Sequence, residues 1–220
     1  MLAEGLQKAG PMLWTGDDFA RDEVLCINFV NTVSWRGKEK PSEYLANLQS
    51  WLEWIREEGL APEESITDLS SRNEEEAAIG FGKAIEFRES LYNFLKAFGR
   101  SEDPPAKDRI LVQEVLGKAL SRLKLSESDN GWEFELESGP TDWEAPLYPC
   151  ALSAAQLVAG PWASRLRVCE REECLWLFMD NTKNRSRKWC DMTTCGNVVK
   201  ARRSYARRRA ASAAFESNST

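Results

Sequence analysis

Along Glu23–Gly37 the apolar residues Leu25, Cys26, Phe29, Val30 and Val33 recur at steps of three and four, a spacing that favours a helix. Val, Ile, Phe and Thr are abundant there, so a strand is the alternative. Before it, Gly10-Pro11 and Thr15-Gly16-Asp17-Asp18 read as turns. Pro41-Ser42 then opens a helix with Ser42 as its N-cap and Glu43 in its first turn. Leu45, Leu48, Trp51, Leu52 and Ile55 form the apolar face of that helix, and Gly59 ends it. Asn73 caps the next helix, with three Glu following at the positive end of the dipole. This helix carries Ala78, Phe81, Ala84, Ile85, Leu91, Leu95 and Phe98, with the stem of Arg88 among them, and stops near Gly99. Pro104-Pro105 starts another, with Ile110, Leu111, Val115, Leu116, Ala119 and Leu120.

After Leu120 the period changes from helical to two. Leu123 and Leu125 alternate with polar residues, as do Trp132, Phe134 and Leu136, and Asp129-Asn130-Gly131 lies between. That is the pattern of a β-hairpin. Gly139-Pro140 breaks the chain, Trp143–Ala159 reads as an apolar helix, and Gly160-Pro161 marks a junction. The pattern predicts an α+β fold: a helix-rich part with a small hairpin over residues 1–164, then a short module over 165–215 and a tail over 216–220.

Charge sharpens that division. The 220 residues sum to −6, but residues 1–164 carry 16 basic and 29 acidic side chains, while 165–209 carry 13 basic and 5 acidic. An acidic body of −13 is thus joined to a basic end of +8. Such asymmetry points to a polyanion or an acidic surface as partner of the basic part. A solubilising face is the plainer alternative. The chain has no His, which excludes Ser-His-Asp triads, H-E-x-x-H metalloproteases and Cys₂His₂ fingers. No P-loop, dinucleotide fingerprint or G-x-S-x-G occurs either, so no enzyme is expected. Neither a secretory h-region nor an apolar run of membrane-spanning length is present, and a cytoplasmic location is the default expectation.

Six Cys are the remaining chemistry. Cys169 and Cys174 form one C-x4-C, Cys190 and Cys195 another, with fifteen residues between the pairs. Two short thiol loops that meet at one ion make a closed tetrahedral Zn²⁺ site, structural rather than catalytic. The intervening chain must turn back. Leu175–Met179 is apolar, Asp180–Arg187 is polar and Lys188-Trp189 returns, which predicts a hairpin between the pairs. A helix after Cys190 would place the second pair near its N-terminus, where the dipole favours thiolates. Knuckle, hairpin and helix describe a treble-clef zinc finger. Cys26 and Cys150 have no partners in sequence and are expected to be buried free thiols.

The helix after the site holds the basic charge. With Val198 and Tyr205 packed on the finger, Lys200, Arg203 and Arg207 would point outward as a stripe, flanked by Arg208, with Arg202 and Arg209 bracing the packed side. Arg185, Arg187 and Lys188 add charge from the turn. A rigid helix with such a stripe suits the phosphates of duplex DNA or the groove beside them.

The run from Arg167 to Arg209 resembles the CGNR zinc-finger family of bacterial proteins. It has both Cys pairs, Trp176, Phe178 and Asp180 after the second Cys, Trp189 before the third, and Cys195-Gly196-Asn197 before the basic helix. Val198 stands where that family has Arg. Leu25–Thr32 is similar to the opening motif of the family's N-terminal ABATE domain, with Asn28 in place of its Asp. The segments Ile85–Leu95 and Leu152–Val158 also look like the family. The resemblance implies a stress-induced or ligand-responsive transcription regulator. Asn28 and Val198 each remove a charge, one from a candidate ligand site and one from a candidate DNA contact.

A second site is a candidate in the body. On a helix from Glu23, Asn28, Asn31, Thr32 and Trp35 would share a face and could line a pocket for a small-molecule effector, with Arg36 and Arg88 available to an anion. Alternatively those amides hold neighbouring loops and the arginines form salt bridges. Nine Trp are present; Trp162, Trp176 and Trp189 lie around the zinc module, where packing is the expected role and base stacking the alternative. The leading expectation is therefore a regulator that binds double-stranded DNA through a zinc-braced helix. A zinc adaptor for protein or RNA is the second reading.

Overall fold

The computed structural model describes residues 24–128, 131–137 and 142–217. The turns predicted at Gly10-Pro11 and Thr15–Asp18, the pair Asp129-Asn130 and the break at Gly139-Pro140 lie outside the described residues. The chain runs α1 (Leu25–Val30), β1 (Val33–Ser34), β2 (Ser42–Glu43), α2 (Leu48–Glu57), α3 (Glu63–Ser71), α4 (Glu74–Gly99), α5 (Ala106–Ser121), β3 (Leu123–Ser128), β4 (Gly131–Leu136), α6 (Tyr148–Ala159), β5 (Leu166–Val168), β6 (Leu177–Met179) and α7 (Asn197–Ser217). This is an α+β fold with three small antiparallel sheets among the described residues. No helix among the described residues is long and apolar enough to cross a membrane.

α4 and α5 form where the pattern predicts them, and α6 ends at Ala159 as predicted but begins at Tyr148, after a 3-10 turn over Ala145–Leu147, rather than at Trp143. The Asn73 side chain accepts a hydrogen bond from Glu76 N at 2.9 Å and so caps α4. β3 and β4 pair as the predicted hairpin, with Leu125 opposite Phe134, and Gly131 takes the positive φ (117°) of the turn. Two other helical predictions shift. The helix expected from Glu23 ends at Val30, so Asn28 and Trp35 no longer share a helix face. Ser42 is not an N-cap: it pairs with Ser34 in β1–β2, and the helix starts five residues later under a capping box of Asn47 and Ser50. The Asn47 amide oxygen meets the orphan amide of Ser50 at 3.0 Å, a bond Ser42 could not offer so far upstream. α3 carries only Ile66 and Leu69 as its buried face and escapes a hydropathy reading.

The core gathers around aromatics. Phe29 stacks on Trp54 at 5.0 Å and on Phe87 at 6.2 Å, and Trp51 stacks on Trp54 at 5.5 Å. Cys26 and Cys150 are buried as free thiols, and burial pushes the Cys26 thiol up to about 12. Leu166, Leu177 and Met179, from β5 and β6 beyond the Gly160-Pro161 junction, are buried in this same core. Asn31 fastens the two parts, donating to Leu177 O at 2.9 Å and accepting from Leu177 N at 3.2 Å. Gly37 allows close approach as well: a Cβ there would lie 1.8 Å from Glu172 O.

A four-thiol centre, a basic helix and an adjoining cleft

β5 delivers Cys169 and β6 leaves from Cys174, so the first knuckle lies inside the β5–β6 hairpin. Cys169 N donates to Trp176 O at 2.8 Å, and Leu175 takes a positive φ to close the turn. This differs from the hairpin predicted between the Cys pairs. β6 pairs with β5, Val168 opposite Leu177, and residues 188–189 do not return as its partner strand. The reason is Asp180. Fully buried, its carboxylate accepts from Thr182 N at 3.0 Å and from Arg187 N at 2.8 Å. That closes residues 180–187 into a stapled loop, and one bond from Glu170 N to Lys188 O at 2.9 Å brings the second pair across. Asp191 then caps a short π-turn, Met192–Gly196, that carries Cys195 into α7.

The four Sγ atoms of Cys169, Cys174, Cys190 and Cys195 lie within 4.8 Å of one another. Cys174 to Cys190 is 3.6 Å and Cys190 to Cys195 is 3.8 Å. A tetrahedral site with Zn–S of about 2.3 Å has sulfur edges of about 3.8 Å. The donor set fits one structural Zn²⁺: four soft sulfurs, three of them on buried residues, and no open position. Crowding divides the thiols electrostatically. Hydrogen bonds from Cys174 and then Cys190 pull the Cys169 thiol down to about 2, while its contact with Cys169 drives Cys174 up to about 12 and contacts with Cys169 and Cys174 push Cys190 far up. Only a cation at the centre lets all four ionise together.

Around the thiols, Trp189 is buried and Trp176 half-buried, so both pack on the centre. Trp162 packs instead on the main core, with the Arg165 guanidinium 5.2 Å from its ring. Arg171 ties the two Cys pairs by donating to Thr194 O, pairs with Glu173 at 3.1 Å, and lies 4.7 Å from the Trp35 ring. Arg202 also pairs with Glu173, and together Arg202 and Arg171 hold that carboxyl down at about 2.

The basic residues fall into two groups. Arg187 is occupied: its guanidinium donates to Trp189 O at 3.0 Å and to Cys190 O, and sits 5.0 Å over the Phe178 ring. Lys188 pairs with Glu170 at 3.1 Å, and Arg185 donates to Ser164 Oγ at 3.1 Å. On α7, Lys200, Arg203, Arg207 and Arg208 are exposed, and Lys200 lies 5.6 Å from the Trp189 ring. Arg203 and Arg207 have no partner among the described residues. Tyr205 does not pack on the finger; it is 65% exposed, and Val199 makes the contact. The small module takes its apolar contact from Val199 in the first turn of the helix, and Arg202 in the next turn adds the ion pair to Glu173. The Arg209 side chain lies outside the described residues.

The structure separates the six candidate pocket residues. Asn28, Asn31 and Thr32 line a cleft of about 610 Å³ between the body and the finger, together with Tyr44, Trp54, Trp176 and Arg187. Trp35, Arg36 and Arg88 do not. Arg36 donates to Glu89 at 2.6 Å and lies 3.8 Å over the Tyr92 ring. Arg88 is buried and engaged by Glu43 through two bonds of 2.7 and 2.6 Å. Glu43 and the wall residue Trp54 escaped sequence reasoning as working parts, and Asp180 and Trp176 stood out as motif residues without the loop staple and the cleft wall they form. A buried Arg on an apolar helix face was the one signal that an acid must oppose it.

Comparison with known families matches residues 23–161 to ABATE, described as "Putative stress-induced transcription regulator", and residues 165–208 to the CGNR zinc finger. Comparison with curated proteins gives no match.

Proposed function

The chain belongs to the ABATE family and carries a CGNR zinc finger behind that region, and we propose that it is a DNA-binding transcription regulator. Both families are a regulator and a zinc finger rather than enzymes. In this reading residues 1–164 sense a small ligand, 165–215 hold zinc and meet DNA, and the protein works in the cytoplasm. The observation that carries it is the pair Arg203 and Arg207: exposed on a zinc-anchored helix, with no carboxylate neutralising them among the described residues. Lys200, Arg203 and Arg207 fall within about 60° of arc over two turns, so one strand's phosphates can meet all three. Arg208 flanks them. Arg185 and Lys188, near the second Cys pair, add exposed charge once their weak surface contacts exchange for phosphate. Arg187 contributes by holding the loop.

Changing Lys200, Arg203 and Arg207 to Glu is expected to abolish duplex binding in a salt-controlled gel shift while elemental analysis still finds one zinc per chain. For the unaltered chain, the slope of log K on log salt should correspond to at least about three phosphate contacts, those of this trio. Undiminished affinity of the triple variant would refute the assignment. Preference for structured RNA over duplex DNA in a competition would favour the adaptor reading instead.

A further inference from the structure

The cleft between α1, α2 and the zinc hairpin has a consistent chemical character. Its floor is aromatic: Trp54 from the body faces the same space as Trp176 from the finger. Its rim on α2 is acidic, with Glu53 and Glu57 one turn apart and both exposed. Its one basic lining residue among the described residues, Arg187, directs two guanidinium N–H groups to Trp189 O and Cys190 O, and the lining carboxylates of Glu53, Glu57 and Glu58 outnumber it. The amide of Asn31 is committed to Leu177 in both directions. The amide of Asn28 has no partner among the described residues, and the Trp176 indole nitrogen is buried without an acceptor. The Asn28 amide is thus available at an aromatic wall whose rim carries carboxylates.

We propose that this cleft binds a small organic cation with an apolar or aromatic body. The ammonium lies toward Glu53 and Glu57, where carboxylates and ring faces both attract positive charge. The body fills the aromatic floor, and a hydrogen-bonding group meets Asn28. An anion of the same shape meets a lining in which carboxylates outnumber the single guanidinium. The inference rests on the sensing half of the proposed function and is independent of DNA contact.

The test is calorimetric and fluorescence titration of the zinc-loaded full chain with 2-phenylethylamine, 3-phenylpropanol and 3-phenylpropanoate. The amine is expected to saturate at one per chain and to bind at least about tenfold tighter than the carboxylate. Glu57→Gln, at an exposed position, should weaken the amine about fivefold, and Asn28→Asp should tighten it by a similar factor. A gain in affinity cannot arise from misfolding. Equal or tighter binding of the carboxylate would overturn the cationic class while leaving a sensing site. Absence of binding by all three in a chain with full zinc and native circular dichroism would overturn the cleft itself, as would an amine affinity indifferent to both substitutions. A gel shift of unliganded protein, run alongside, reports on DNA binding separately.

Discussion

Arg88 is buried within the apolar face of α4, and its charge is tolerated because each of its nitrogens meets an oxygen. Glu43 takes two of those bonds, Thr32 Oγ1 one at 3.1 Å and Glu89 one at 3.0 Å. Burial alone would raise the Glu89 carboxyl, but the hydrogen bond from Arg36, with the charges of Arg36 and Arg88, outweighs it and holds Glu89 below its ordinary 4.5. Removing Glu43 leaves the buried Arg88 guanidinium without its two-bond acceptor, and stranding a buried charge typically costs about 3 kcal/mol. Glu43→Ala is therefore expected to lower stability by about that much in urea unfolding. A midpoint within error of the unaltered chain would show the network to be decorative. Sequence reading found Arg88 on the correct helix and even on the correct face. It could not find Glu43, because the acid lies 45 positions earlier on a two-residue strand that no periodicity announces.

Among the elements, those fixed by local chemistry were legible and those fixed by distant partners were not. α4 has its cap, its acidic first turn and its stop within one stretch of chain, so pattern alone delimits it. The β3–β4 hairpin is equally local. The two Cys pairs are legible for the same reason: thiol spacing is covalent. By contrast β6 has a choice of partner, and β5 wins over residues 188–189 because Asp180 organises the intervening loop through backbone amides that leave no mark in the sequence. An Asn at position 180 keeps the shape but loses one acceptor, so its amide nitrogen would oppose the N–H of Arg187 or Thr182. A buried donor left without an acceptor costs about 1–3 kcal/mol. Asp180→Asn should accordingly lower the thermal midpoint while zinc content stays at one per chain. An unchanged midpoint would remove the staple from the account of the loop.

At the scale of the whole molecule, the acidic body and the basic finger are distinct in charge but not in packing. Leu166, Leu177 and Met179 sit in the body's core, Asn31 holds Leu177 by both backbone groups, and the Tyr92 hydroxyl donates to Leu175 O at 3.0 Å. Under the proposed DNA binding, the net −13 of residues 1–164 would repel the duplex and admit it only in orientations that present α7 first. A finger docked this firmly keeps that orientation constant, and the cleft with Cys190 in its wall lies on the seam where a ligand would alter it. The same docking makes zinc matter beyond the finger. Structural Zn²⁺ binding is itself folding free energy, about 10–16 kcal/mol in isolated finger peptides. If the hairpin that carries Cys169 and Cys174 also supplies core side chains, losing the metal loosens those side chains with it. Chelation should therefore shift the melting of the entire chain downward. The fluorescence of the buried Trp51 and Trp54 should move with far-UV circular dichroism in one transition. If the tryptophan signal instead melts at its original temperature after chelation, the body is independent of the metal, and a shared core would not be what sets the orientation of the basic helix.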